Sequence, residues 1–222
     1  MRPKLLLHVC CAPCAAYVIG QLSQEFEIGA YFYNPNIHPK EEYDLRWEAM
    51  EKLTQALQVS FELAGGKYDP ERWLEAVKGL EAEPEGGARC QVCYRFRLEE
   101  AAKLAKEKGG DWLATTLTIS PHKRAEVINP MGQEVAEQFG LRFYQADFKK
   151  KDGFKISCRL SRELKLYRQS YCGCVFSQPG NILGGNRSSH DAGCSMLDLR
   201  CSIFDAGCWM LDVGCSMLDA RC

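Results

Sequence analysis

Three groups of cysteines carry the chemistry open to this chain. His8-Val9-Cys10-Cys11-Ala12-Pro13-Cys14 sets two adjacent thiols beside a third, Cys90-x-x-Cys93 spaces two by one helical turn, and Cys172-Gly173-Cys174 leaves one glycine between two. Thiolates are soft ligands that suit zinc and iron–sulfur centres. Cys10 and Cys11 with Cys90 and Cys93 supply four of them, enough for a 4Fe–4S cluster or a tetrahedral zinc. The tight Cys172/Cys174 pair suits an easily reduced disulfide that relays electrons, with a second metal's ligand pair as the other reading. Cys14 either ligates or lines the site, and Cys158 reads as a packed core residue.

The elements that must position these groups follow from hydrophobic patterning. Residues 4–9, 28–33, 59–63, 111–115 and 141–145 read as strands. Between and after them, residues 13–24, 40–57, 70–78, 90–108, 121–139 and 157–168 read as helices. Strands alternating with helices imply parallel βαβ units covered on both faces. The fold class is therefore α/β: a parallel-sheet, three-layer domain of Rossmann-like or HUP-like type. Its ligands belong beyond the carboxyl ends of the strands. The first strand runs into Cys10, so the first cysteine group falls at that edge, against a helix N-terminus that favours thiolates.

His122, in Thr118-Ile119-Ser120-Pro121-His122-Lys123, falls at the same edge and is a candidate phosphate ligand or acid. Asp147 is a further loop candidate for proton supply, with Tyr33, Asn34 and His38, whereas His8 lies within a strand and reads as a satisfied core residue. From Arg142 to Arg168 nine Lys/Arg face three Asp/Glu. Within that run Lys149, Lys150, Lys151, Lys155, Arg162 and Arg168 read as a footprint for a phosphate backbone. Arg162, Lys165 and Arg168 recur every third residue, which places them near one face of a helix.

The chain's 222 residues have net charge −1, so no global field favours nucleic acid or membrane. The apolar run after Met1 is too short for a signal core or a membrane span. A cytoplasmic location is expected, where thiols stay reduced and thirteen cysteines argue for metal or redox work. Beyond residue 178 the composition breaks. Residues 179–222 hold no Lys or Glu, and a seven-residue repeat (DAGCSML, DLRCSIF, DAGCWML, DVGCSML, DARC) sets cysteines at 194, 201, 208, 215 and 222. Its a/d spacing permits a Cys/Leu zipper or a metal-binding tail. Glycines at 193, 207 and 214 each weaken a helix by about 1 kcal/mol, however. We read residues 1–178 as the catalytic domain and 179–222 as a disordered or weakly helical extension, its five cysteines outside the active-site count.

Six segments together resemble the cobalamin-independent epoxyqueuosine reductases of the QueH type: LLLHVCCAPC (5–14), YNPNIHPKEEYDLR (33–46), RCQVCYRFRL (89–98), TTLTISPHK (115–123), DFKKKDGFK (147–155) and LYRQSYCGCVFS (166–177). The resemblance implies deoxygenation of epoxyqueuosine to queuosine at the wobble position of tRNA. It implies a 4Fe–4S cluster on Cys10, Cys11, Cys90 and Cys93, a redox-active disulfide at Cys172/Cys174, and room for one additional iron. An electron donor is then a required partner, and no membrane is. Three competing readings remain. A metal-free thiol–disulfide oxidoreductase would use Cys11/Cys14 or Cys172/Cys174, and a zinc-stabilised RNA-binding module would hold zinc without turnover. An ATP-using enzyme of similar topology would want a glycine-rich phosphate loop where Cys10-Cys11-Ala12-Pro13 stands.

Overall fold

The computed structural model describes residues 2–57 and 59–178. The repeat at 191–222, and with it the expected boundary at 178/179, lies outside the described residues. Five strands are named in chain order: β1 (Lys4–His8), β2 (Glu27–Phe32), β3 (Glu62–Gly65), β4 (Trp112–Thr115) and β5 (Arg142–Phe143). They form one all-parallel sheet in the order β3-β2-β1-β4-β5. The helices are α1 (Ala12–Leu22), α2 (Lys40–Ala56), α3 (Pro70–Ala76), α4 (Ala88–Glu107), α5 (Ala125–Gln138) and α6 (Gly153–Glu163).

Side chains along a strand alternate between faces, and β1 uses both. Leu5, Leu7 and Val9 join Ile28, Ala30 and Phe32 against Val18, Ile19 and Leu22 of α1 and Met50 and Leu53 of α2. Leu6 joins Leu113 on the other face, against Leu98 and Ala101 of α4 and Ile128 and Val135 of α5. Layers of helix, sheet and helix match the expected three-layer α/β class. Because the sheet is built outward in both directions from β1 and β4, the order reverses between those two strands. Their carboxyl ends are the crevice where such sheets bind ligands, and Cys10 and Thr116 stand there. The backbone N–H of Cys10 donates to Thr116 Oγ1 at 3.2 Å across the reversal.

The strand expected over 141–145 is only Arg142–Phe143, and three further elements depart from the sequence expectation. The third strand pairs at Glu62–Gly65 rather than 59–63. Gly65 and Gly66, read as breakers, are there because side chains cover them: a Cβ on Gly65 would sit 3.0 Å from the Trp47 ring, and one on Gly66 2.7 Å from Tyr31 Oη. The helix expected from residue 121 starts at Ala125. Thr115 Oγ1 accepts the Leu117 N–H at 3.2 Å and caps a single 3-10 turn, Thr116–Ile119, which delays it. The helix expected over 157–168 runs from Gly153 to Glu163, and Lys165 then takes a left-handed conformation at φ 49°. Arg162, Lys165 and Arg168 therefore do not share a helical face, and that part of the basic reading is corrected.

Candidate active site

Cys10, Cys11 and Cys14 come together at the head of α1. Their three Sγ atoms lie within 4.8 Å of one another. The local cause is a strand that ends at His8, an extended N-cap at Cys11, and Pro13 in the first helical turn, where its missing N–H is not needed. Helix α6 braces this turn: Ser157 Oγ donates to the Pro13 carbonyl at 2.7 Å. Thiol hydrogen bonds from Cys11 and Cys14 hold Cys10 well below the usual thiol range, helped by the Lys123 charge and by the Thr116 hydroxyl 3.5 Å away. The same shared hydrogen bonds, with burial, push Cys11 up to about 12 and raise Cys14. Three sulfurs this close could together hold a soft cation.

Cys90 and Cys93 open α4 as expected but lie outside that 4.8 Å group. Burial raises both thiols, and the Gly86 N–H donates to Cys90 Sγ at 3.2 Å. They lie instead beside the third group. Cys93 and Cys174 share one buried cluster with Trp73 and Val77, and Cys172 acts electrostatically on both Cys90 and Cys93. Burial, then the neighbouring Cys172, pushes Cys174 up to about 12. The second and third groups thus adjoin, while Cys158 is buried in α6, as its packing role anticipates.

A buried arginine holds the Cys-Gly-Cys loop. Arg46, 2% exposed, donates from Nη1 to the Cys172 carbonyl at 3.0 Å and from Nη2 to the Tyr171 carbonyl at 3.1 Å. Its Nε donates to Glu42 Oε1 at 2.7 Å, and Tyr167 Oη donates to Glu42 Oε2 at 2.6 Å. From the other side the His38 N–H donates to the Gly173 carbonyl at 2.7 Å, and the Tyr171 hydroxyl donates to the His38 carbonyl. Gly173 has φ +105°, which favours glycine. Sequence reading gave Arg46 and Glu42 no role. Their signal was available: two opposite charges spaced i, i+4 among Tyr43, Ala49 and Met50 on the buried stripe of a helix.

Two further cations were missed. Arg97, also 2% exposed, lies one turn beyond Cys93 on the buried face of α4. Its Nε donates to the Cys93 carbonyl at 3.2 Å and its Nη1 to Asn34 Oδ1 at 3.1 Å, while Asn34 Nδ2 donates to the Val9 carbonyl at 2.9 Å. Lys123 sits in the turn before α5. Burial opposes its charge, but Cys172 and Cys10 outweigh that and raise its pKa, so the ammonium persists. Beside it His122 is exposed. His8 is fully buried, with Nδ1 3.0 Å from Thr115 Oγ1 and Nε2 3.3 Å from the Tyr33 carbonyl. Burial, then the Arg97 charge, lowers its pKa to about 3, so it stays a neutral core residue.

The basic run divides by surroundings. Lys149 pairs with Asp147 at 2.9 Å and donates to the Lys123 carbonyl at 3.1 Å, so it ties two loops of the site together. Lys155 pairs with Asp152 at 2.9 Å. Lys150, Lys151, Lys155 and Arg162 are exposed, and Arg168 is half-buried.

Residues 5–179 match the family model described as "Epoxyqueuosine reductase QueH". The chain belongs to the QueH family. A curated protein of that name from Streptococcus pyogenes serotype M1 is 41% identical over 181 residues, spanning 80% of this chain and 71% of that protein. One from Thermotoga maritima is 40% identical over 177 residues, 78% of this chain and 89% of that protein. One from Staphylococcus epidermidis is 41% identical over 182 residues, 79% of this chain and 76% of that protein. QueH proteins are oxidoreductases by name. All three cysteine groups, Arg46, Arg97 and Lys123 fall inside the matched residues. Among the described residues no helix is long and apolar enough to cross a membrane.

Proposed function

We propose that this chain reduces epoxyqueuosine to queuosine at the wobble position of tRNA. The family match over residues 5–179 carries the reading, and the cysteine trio at the sheet's reversal point supports it. The reaction turns an epoxide into an alkene with two electrons and two protons, and the oxygen leaves as water. A dithiol at Cys172/Cys174 balances it: two thiols become one disulfide and release the two electrons and two protons. An external electron donor then returns the pair to thiols.

A 4Fe–4S cluster fits the donor set on the chemistry of its residues. Sulfur ligands dominate; among the described residues the buried Arg97 and the half-buried Lys123 have no carboxylate partner, and Asn36 and Thr118 hold buried polar atoms without partners. We assign Cys10, Cys11, Cys90 and Cys93 as its ligands and leave Cys14 to an additional iron. When bound, such a centre supplies single-electron transfer, and an iron beside it a Lewis acid for oxygen. The chain's own residues do the rest. Arg46 and His38 fix the Cys172 loop, Lys123 places an ammonium near both Cys10 and Cys172, and Asp147 holds Lys149 against the Lys123 loop. The exposed Lys150, Lys151, Lys155 and Arg162, with Arg168, hold the anticodon phosphates. The modified nucleotide must leave the loop stack to reach the cysteines. These steps suit the cytoplasm, where tRNA and reductant meet.

Anaerobic purification with iron and sulfide analysis, then incubation with epoxyqueuosine-bearing tRNA and dithionite, tests this. Nucleoside chromatography should show queuosine. Zinc in place of iron, with the epoxide intact, would overturn the reading in favour of a zinc-stabilised RNA-binding module.

A further inference from the structure

We propose that Arg97, assisted by Lys123, is a built-in counter-charge for a net-anionic thiolate–metal assembly and sets the potential at which that assembly takes up an electron. The inference rests on the cluster reading above. Arg97 is buried deep between α4 and the loop after β2; among the described residues its hydrogen bonds go to neutral acceptors, the Cys93 carbonyl and the Asn34 amide oxygen, and its guanidinium lies 5.8 Å from the centre of the Tyr94 ring. Its Nη2 is buried without a hydrogen-bond partner. Among the described residues no carboxylate is ion-paired with Arg97 or Lys123. A guanidinium taken out of water and left unpaired costs a fold heavily, so its natural partner is a negative group that this site collects.

The cysteines whose charge would act on Arg97 are Cys93, Cys172 and Cys10, one from each cysteine group. Lys123 stands just after the Thr116–Ile119 turn whose Thr116 hydroxyl accepts the Cys10 N–H, its own N–H donating to the Ser120 carbonyl at 3.2 Å, and it answers to two of the same three, Cys172 and Cys10. Two fixed positive charges thus serve thiols that arrive from three distant parts of the sequence. Arg97 also reports on geometry. It grips the Cys93 carbonyl from one turn along α4, and it reaches the Val9–Cys10 strand end through Asn34, which holds the Val9 carbonyl. One side chain therefore spans the gap between Cys93 and Cys10. An electron added to a buried centre is stabilised by a nearby cation and raises no new desolvation cost for it. Losing the cation makes reduction harder. Exchanging it for another cation does not.

The test is a redox titration of the loaded protein, followed by electron paramagnetic resonance, with dithionite as the one-electron reductant. Arg97→Gln keeps donors toward Asn34 and Cys93 but removes the charge, and Arg97→Lys keeps the charge. At the wild-type midpoint, Arg97→Gln should show at least a tenfold lower ratio of reduced to oxidised centre, about 59 mV for one electron. Arg97→Lys should stay near wild type. Lys123→Gln, at a half-buried position, should shift the midpoint in the same direction. An unchanged midpoint in loaded Arg97→Gln would overturn the inference. Should Arg97→Gln fail to fold, an unchanged midpoint in Lys123→Gln overturns it instead. Wild-type protein with no iron or sulfide would mean that the cluster reading itself had failed, a distinct outcome.

Discussion

Gly173→Ala should unseat the Cys172/Cys174 loop while leaving the metal ligands in place. A methyl group there would lie 2.9 Å from Ile37 Cγ1, 3.0 Å from Arg46 Nη1 and 3.2 Å from Arg46 Nη2. Residue 173 also has φ +105°, where an L side chain is strained by about 1–3 kcal/mol. Relief has two routes. Arg46 can withdraw, giving up two charge-assisted hydrogen bonds to the Tyr171 and Cys172 carbonyls, each worth about 1.5–3 kcal/mol. Alternatively the loop can swing out and sacrifice the His38 N–H bond to the Gly173 carbonyl along with them. Staying in place would keep both the φ strain of roughly 1–3 kcal/mol and the close contacts with Ile37 and Arg46, so the loop gives way in part and the variant should fold with a loosened loop. A loss of that size lowers the melting temperature of a domain this large by about 2–4 °C per kcal/mol. Calorimetry reads the stability, anaerobic iron analysis the centre, and single-turnover conversion of epoxyqueuosine the chemistry. We expect wild-type iron, a lower melting temperature and at least a tenfold slower single turnover. A variant that melts and turns over like wild type would refute the claim that Arg46 and Gly173 fix this loop.

Cys90→Ala should lose most of the bound iron, and unchanged iron content would remove Cys90 from the ligand set. Cys172→Ser should keep iron yet lose turnover with a thiol reductant; retained turnover would dismiss the electron relay. Reversing Lys150, Lys151 and Arg162 to Glu should weaken tRNA binding and flatten its dependence on salt, by about 0.7 in log–log slope for each phosphate of a single-stranded loop that is no longer neutralised. Filter binding across a salt series measures this, and an unchanged slope would make these side chains a merely solvated face. Gly132→Ala, whose methyl would collide with the Phe143 ring, should cost about 1–3 kcal/mol of stability by overpacking while iron content stays at wild type. A variant as stable as wild type would show that the α5–β5 packing is not tight.

Much of this architecture was legible because local signals agreed. The Leu5-Leu6-Leu7 run, the Cys11–Pro13 turn and the glycines after α4 each named a boundary with its own chemistry. The three cysteine groups were visible as spacings. What escaped was tertiary. Nothing local tells that Cys14 turns toward Cys10 and Cys11, or that α6 begins at Gly153, where a Cβ would collide with the Phe148 carbonyl. Arg46 and Arg97 were given no role, yet each belongs to a buried helix face whose partner lies 126 or 63 residues away. Lys149 was counted with the phosphate binders, although Asp147 and the Lys123 carbonyl already occupy its ammonium.

The Arg46 clamp joins a helix near the beginning of the described domain to carbonyls near its end. During translation, therefore, Arg46 emerges long before the Tyr171 and Cys172 carbonyls that it will hold. Until residue 173 clears the ribosome, the Arg46–Glu42 pair lacks the peptide it grips. Closure of the clamp therefore waits until Cys10, Cys11, Cys14, Cys90 and Cys93 have all been synthesised.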